Sequence, residues 1–228
     1  MSIHFFPVRG LCKPKLLLAL AGSNLAFEGI NCSRYRSGPH LDFIFERYFS
    51  YQFGLLDTAM FLSTLFLCLF AVINSFREDS RKFGLFCLTR YSRKKYAAGK
   101  CASIFCFALL TALLTVGEGF LVQRAAGIRF PAHYYWATFF TFWGTVLLCV
   151  VAASVLYLLL QNDSSVFLIS AVCLAASRVV CSGLKYPFQM WEKHIVLCTI
   201  SGALSVVLIG FVFGLLQRVD FLSTKVKE

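Results

Sequence analysis

The chain has 228 residues, of which 58% are apolar and only 14% are charged, and its mean hydropathy is +0.72. An ordinary soluble domain is about a quarter charged, so this composition argues against a water-soluble enzyme or binding domain. The 22 Lys and Arg residues outnumber the 11 Asp and Glu residues, which gives a formal net charge of +11. On an apolar chain this excess indicates cytoplasmic loops beside anionic lipid head groups, and no nucleic acid partner.

Six apolar runs follow one another along the chain, with no polar stretch long enough to fold separately. A bilayer core of about 30 Å needs about 20 helical residues to cross. The runs cover residues 16–30, 54–76, 101–122, 137–160, 165–184 and 195–216, and the first includes Ser23, Asn24 and Glu28. They are continuously apolar and lack the alternation of barrel strands. The sequence therefore predicts an all-α integral membrane protein, in which residues 1–228 form a single domain of six transmembrane helices.

The basic residues predict how these helices are oriented. Fourteen Lys and Arg residues lie before the first helix, between the second and third, or after the sixth, whereas seven lie in the other connections. Because Lys and Arg accumulate in cytoplasmic segments, we expect a multi-pass protein of the cell membrane with both termini in the cytoplasm. Tyr134, Tyr135 and Trp136 then lie near an outer helix end, where aromatic rings are typical of the interface. A ligand-binding aromatic cluster is the alternative.

The connection between the second and third helices, residues 77–100, is strongly basic but also carries apolar side chains. This pattern is compatible with a short amphipathic helix at the membrane surface or in the groove of a partner. A solvated cytoplasmic loop fits the pattern equally well. The side chains that could contact a partner are Glu78, Arg81, Phe83, Leu85, Phe86, Leu88, Arg90, Arg93 and Lys94.

An acidic residue, a glycine, Leu-Thr-Arg, Ser-Arg and a lysine that opens the next helix follow one another through this connection. They are Glu78, Gly84, Leu88, Thr89, Arg90, Ser92, Arg93 and Lys100. This order resembles the ABC-2 class of transporter permeases, and the six-helix layout with both termini inside is similar as well. The resemblance implies a coupling helix at residues 81–96 that docks on a separate ATPase subunit. It also implies a second permease subunit, identical or related, across the transport pathway.

The sequence does not contain the P-loop motif G-x-x-x-x-G-K-[ST]. At Gly99-Lys100 the next residue is Cys101 instead of Ser or Thr, and position 94, where the motif has its first Gly, is Lys. The resemblance therefore implies that ATP and Mg are bound by the partner subunit, and that this chain binds no cofactor and is no enzyme. The implied function is the membrane-spanning permease of a bacterial ATP-driven exporter for a peptide, antibiotic or lipid-like amphiphile. The alternatives are a membrane scaffold or immunity protein that binds a partner without transport, and a membrane enzyme.

Three ionisable side chains lie inside predicted helices at a similar depth: Asp57, Glu118 and Arg178. Each charge at the bilayer centre costs at least about 2.5 kcal/mol. We therefore expect Arg178 to face Glu118 or Asp57 and to shape the outer mouth of a translocation path. Separate extension of each side chain to the interface is the alternative.

Three smaller features complete the sequence pattern. Gly210 and Gly214 lie about one turn apart on the sixth helix and predict close packing with another helix, with a contact between subunits as the alternative. The four histidines are isolated and have no Cys partner at metal-ligand spacing, so no metal site is predicted. A disulfide between Cys32 and Cys181 stays open, because both are expected near the outer face.

Overall fold

The computed structural model describes the backbone at residues 11, 13–36, 55–88, 92–127, 132–183 and 190–218. Side chains are described at 11, 13–30, 62–80, 92–127, 132, 135–136, 139–140, 142–173 and 202–218. The helices are α1 Pro14–Arg36, α2 Leu55–Leu88, α3 Arg93–Ala125, α4 Ala132–Leu160, α5 Asp163–Gly183 and α6 Met190–Arg218. The described residues are therefore all-helical, as predicted, and each predicted apolar run overlaps one helix.

The second and third helices are much longer than their apolar runs, and this corrects one prediction. α2 has 34 residues and α3 has 33, which is about 50 Å each at 1.5 Å per residue. The separate coupling helix expected at residues 81–96 is wrong for the described residues, because residues 81–88 continue α2 and residues 93–96 open α3. Charged side chains end an apolar run but not a helix, since Arg, Lys and Glu are good helix formers. Gly84 alone costs only about 1 kcal/mol in a helix.

A tight turn of two residues joins α4 to α5. Gln161 has a positive φ of 52°, which reverses the chain direction at the end of α4. Asn162 Oδ1 then accepts hydrogen bonds from the backbone N–H groups of Ser164 at 3.0 Å and Ser165 at 3.1 Å. Asn162 therefore caps the start of α5 and pairs the otherwise unsatisfied amides of its first turn.

α4 lies at the centre of the bundle, packed against α2, α3, α5 and α6, while α1 packs against α2 and α3. The apolar core is continuous across these contacts. It includes Leu69 on α2, Phe107 on α3, Val150 on α4 and Val212 on α6, all of which are buried.

Large apolar side chains are also exposed on the outside of the bundle, on every one of these helices. Examples are Leu18, Phe70, Leu121, Trp136, Leu168 and Val206, each more than half exposed. Proteins in water rarely expose large contiguous apolar surface. Among the residues whose side chains the structure describes, two helical stretches are long and apolar enough to cross a membrane. They are Arg93–Ala125 and Phe142–Leu160.

Candidate functional site

A buried ion pair joins α2 to α3 at the end where both helices extend beyond their apolar runs. Lys100 Nζ lies 2.5 Å from Asp79 Oδ2, and the two side chains are 0% and 5% exposed. Lys100 also donates to Ser75 Oγ at 2.5 Å, and the Tyr96 hydroxyl donates to Asp79 Oδ2 at 2.7 Å. Ser75 and Asp79 are four residues apart on α2, as are Tyr96 and Lys100 on α3, so each pair lies on one helix face. These four residues are called the α2–α3 clamp below.

Aromatic rings cover the clamp on its α4 side. Lys100 Nζ lies 4.4 Å from the centroid of the Phe76 ring, within the range of a cation–π contact. Phe76 in turn stacks on Tyr157 of α4, with ring centroids 5.2 Å apart. Phe76 and Tyr157 are both buried. Water is therefore kept from the ion pair by the packing of three helices.

Three consecutive residues of α2 connect this helix to three different parts of the bundle. Arg77 Nε lies 3.5 Å from Asp163 Oδ2 at the start of α5. Glu78 pairs with Lys13, immediately before α1, and Asp79 pairs with Lys100 on α3. Successive helical residues point in directions about 100° apart, which allows one short segment to reach three neighbours. The first two pairs are partly exposed and contribute little stability.

The clamp has a different energetic role from these two surface pairs. Transfer of a charged side chain from water into the protein interior costs several kcal/mol per ion, even after relaxation. The attraction between Lys100 and Asp79 and the hydrogen bonds from Tyr96 and to Ser75 offset this cost. With all four residues present, the clamp therefore adds little net stability to the fold. With one partner removed, it leaves an uncompensated buried charge, which is strongly unfavourable.

The predicted partner-contacting residues lie on both sides of the clamp. Arg93 and Lys94 are exposed in the first turn of α3, and Glu78 is half-buried on α2. The backbone of Arg81, Phe83, Leu85, Phe86 and Leu88 belongs to α2, with side chains outside the described residues. Arg90 lies wholly outside the described residues. The described part of the connection at residues 77–100, called the basic connector from here on, is therefore built from the ends of two long helices.

A second group of polar side chains joins α1, α2 and α3 within their apolar runs. Asn24 Nδ2 donates to Thr115 Oγ1 at 2.9 Å, and Thr64 Oγ1 donates to Asn24 Oδ1 at 3.0 Å. All three side chains are buried. Asn24 of α1 is thus hydrogen-bonded both to α2 and to α3. Such hydrogen bonds between helices fix their relative rotation in an apolar environment.

Two carboxylates lie next to Asn24. Glu118 of α3 follows Thr115, the partner of Asn24, by three residues, and its Oε2 is enclosed with no hydrogen-bond partner among the described residues. Glu28 of α1 is buried close to Gly119, where a Cβ would lie 3.2 Å from Glu28 Oε1. The absence of a side chain at Gly119 therefore gives Glu28 its space between α1 and α3.

The predicted vestibule of Asp57, Glu118 and Arg178 is only partly within the described residues. Asp57 lies on α2 and Arg178 on α5, but neither side chain is described. The pairing of Arg178 with a carboxylate stays a prediction. Glu118 lies within one turn of Thr115, which accepts a hydrogen bond from Asn24.

Sequence reasoning also missed the clamp. Lys100 belonged to the motif, but its partner Asp79 and the supporting Ser75 and Tyr96 were not recognised. A signal was present, because Tyr96 and Lys100 share a face just before an apolar run, and Ser75 and Asp79 share a face just after one. Antiparallel neighbours bring two such faces together.

The glycine pair of α6 has no close neighbour among the described residues. Gly210 and Gly214 are exposed, and a Cβ at either position would meet nothing within 4 Å among the described residues. The predicted packing role therefore finds no support among the described residues and stays a prediction. The alternative, a contact between subunits, stays a prediction. Cys32 and Cys181 lie on α1 and α5, with side chains outside the described residues.

The part of the chain that the structure describes contains no group of three or more His, Cys, Asp or Glu side chains that could hold a metal ion. Two groups of buried polar side chains among the described residues are the α2–α3 clamp and the group around Asn24. Comparison of the chain with protein-family models, curated proteins and solved structures finds no match.

Proposed function

We propose that the chain is the membrane-spanning permease subunit of an ATP-driven exporter of the ABC-2 class, with both termini in the cytoplasm. Its cargo in this proposal is a peptide, an antibiotic or a lipid-like amphiphile. One observation carries the proposal: α2 runs without interruption from the apolar bundle through the first half of the basic connector, and the clamp fixes it there to α3. The resemblance of the connector to ABC-2 permeases supplies the class of partner.

The exposed apolar surface supports a membrane as the solvent of the bundle. Large apolar side chains are exposed on all six described helices, where water would disfavour them by about 25 cal/mol per Å². Lipid tails remove this penalty. At about 50 Å, α2 and α3 exceed a hydrocarbon core of about 30 Å. In a bilayer, their basic ends therefore extend into the cytoplasm.

The continuous α2 changes how a coupling movement reaches the bundle. A separate coupling helix would transmit force through flexible joints. Here, an ATPase that contacts the connector acts directly on the ends of α2 and α3. The clamp makes these two ends move together, and the pairs of Glu78 with Lys13 and Arg77 with Asp163 extend the connection to α1 and α5. Such a set of packed, paired helices is a physical route for coupling between distant sites.

The polar group around Asn24 supplies groups for the transport pathway in this proposal. Polar side chains inside membrane helices are expensive and are typical of substrate or ion paths. Asn24 and Thr115 lie where α1 meets α3, and Glu118 follows Thr115 by three residues on α3. A change in the angle between these helices would expose Glu118 Oε2, the enclosed oxygen of this half-buried side chain. Peptides and amphiphiles with a cationic group are cargo that this carboxylate could bind.

The test is isolation of the tagged chain from its native membrane, followed by identification of the subunits that copurify. We expect an ATPase subunit. Reversal of charge at Arg93 and Lys94, both exposed at the start of α3, should reduce its retention. Lys15→Glu is the matched control, because Lys15 is an exposed base on the same proposed side but outside the connector.

Three outcomes would contradict the proposal. Wild-type protein that copurifies with a partner other than an ATPase would favour the membrane scaffold or immunity protein. If the Lys15→Glu variant lost as much ATPase as the variant reversed at Arg93 and Lys94, the overall positive charge of the chain, and not the connector, would hold the partner. ATPase activity of the isolated chain would favour an enzyme.

A further inference from the structure

An apolar groove lies between the end of α3 and the start of α4, away from the clamp. It has a volume of about 360 Å³ and is lined by side chains of both helices, including Gly117, Phe120 and Arg124 of α3 and Tyr135, Trp136 and Phe139 of α4. This volume is within the range of sites that bind small molecules, which is about 300–1,000 Å³. The groove is large enough for part of an acyl chain.

The aromatic walls of the groove are held in place by their own contacts. Phe120 meets Tyr135 edge to face, with centroids 4.9 Å apart, and the Tyr135 hydroxyl donates to Gln123 Oε1 at 3.1 Å. Trp136 packs at a right angle to Phe139, at 6.2 Å, yet it is 61% exposed. The walls are thus ordered, and one of them is open to the surroundings.

One cation stands at the rim of this apolar groove. The guanidinium carbon of Arg124 lies 5.2 Å from the centroid of the Phe120 ring, and Arg124 is exposed in the last turn of α3. The ion pairs found among the described residues do not include Arg124. An apolar groove with a cation at its mouth is complementary to an amphiphile that has a long apolar tail and an anionic head.

We propose that this groove binds an anionic phospholipid of the surrounding bilayer, with an acyl chain against Phe120 and Trp136 and the phosphate beside Arg124. Arginine suits this role, because its planar guanidinium donates two parallel hydrogen bonds to a phosphate. The inference rests on the membrane placement within the proposed function, but it is independent of the ATPase partner. The sequence left two roles open for the aromatic residues near this helix end, anchoring at the membrane interface and binding of a ligand. The proposed lipid site assigns them the second role.

The test uses the full chain in detergent micelles and phospholipids with brominated acyl chains, which quench tryptophan fluorescence on contact. Phosphatidylglycerol is compared with phosphatidylcholine, and the quenching that disappears in Trp136→Phe defines binding in the groove. For wild type, we expect the anionic lipid to bind about fivefold more tightly, which is the effect of one nearby cation. Arg124→Gln should abolish this preference, whereas Lys94→Gln, at the opposite end of α3, should keep it.

A second variant tests the groove and not the charge. A Cβ at Gly117 meets nothing within 4 Å, so Gly117→Leu should fill the groove without displacing its walls. It should weaken quenching of Trp136 by both lipids.

The results that would overturn the proposal are equal quenching by the two lipids in wild type, or a preference that survives Arg124→Gln. If Gly117→Leu instead converts a dimer to a monomer with lipid quenching unchanged, a second copy of the chain covers the groove, and the lipid proposal is wrong. Release of the chain from membranes by alkaline carbonate would contradict the membrane placement itself, before any lipid is added.

Discussion

Replacement of Lys100 by methionine removes the ammonium group of the α2–α3 clamp and keeps an unbranched side chain of similar length. The Asp79 carboxylate would then be buried beside Phe76 with only the Tyr96 hydroxyl as a donor from the clamp. We expect Lys100→Met to reduce the free energy of unfolding by about 3–5 kcal/mol, the typical effect of removing one partner of a buried ion pair.

The magnitude follows from the geometry of the pair. Two unit charges 2.5 Å apart attract each other by about 7 kcal/mol at an effective dielectric constant of about 20. This gain is close to the several kcal/mol that each ion loses on leaving water. The intact pair is therefore near balance, whereas Asp79 alone keeps its desolvation penalty without the compensating attraction.

The double variant Lys100→Met/Asp79→Leu removes both charges. It should be more stable than either single variant, with a coupling energy of at least about 2 kcal/mol in a double-mutant cycle. Unfolding of the purified protein in mixed micelles of detergent and sodium dodecyl sulfate measures these differences. Lys13→Met is the matched control, because Lys13 pairs with Glu78 on the surface with its side chain 42% exposed, and its loss should cost about 1 kcal/mol or less.

A double variant whose loss of stability equals the sum of the two single losses would contradict a coupled ion pair. So would a Lys100→Met variant that is no more harmful than Lys13→Met. Either result would mean that Lys100 and Asp79 do not form a coupled, desolvated pair.

Other variants test the packing of α1 against α3 by the same unfolding measurement. Asn24→Ala should lower the free energy of unfolding by about 1–2 kcal/mol, because interhelical hydrogen bonds to two neighbours are lost; no change would mean that these bonds form equally well with other partners. Gly119→Ala should be less stable than Gly117→Ala by about 1 kcal/mol or more, since a Cβ at Gly119 meets Glu28 Oε1 at 3.2 Å while one at Gly117 is unobstructed. Equal stability of the two alanine variants would contradict the close approach of Glu28.

The number and order of the helices could be predicted from hydropathy, because each apolar run is long and is ended by charged or polar residues. Helix ends could not. The apolar run of α2 ends near Phe76, yet the helix continues to Leu88, since hydropathy reports the solvent of a helix and not its hydrogen bonding. The same limit explains why a separate coupling helix was expected.

The partners of buried polar side chains could not be predicted from the sequence pattern, for another reason. The motif marked Lys100, but the identity of its partner depends on how far α2 extends and on which face it turns to α3. In the sequence, Asn24 is a polar residue within the first apolar run, with no visible partner. In the structure it is hydrogen-bonded to Thr64 and Thr115 of two other helices. Pairing across helices follows from their rotation, which periodicity alone does not give.

The most direct test of the account concerns the side of the membrane on which the connector lies. Lys94 is exposed in the first turn of α3, and Lys94→Cys can be probed with a membrane-impermeant maleimide, with the wild-type chain as the background for its own cysteines. The account predicts labelling of Lys94→Cys above this background only after the membranes are opened. Labelling of the same strength in intact cells would contradict a cytoplasmic connector, and with it the proposed contact with an ATPase.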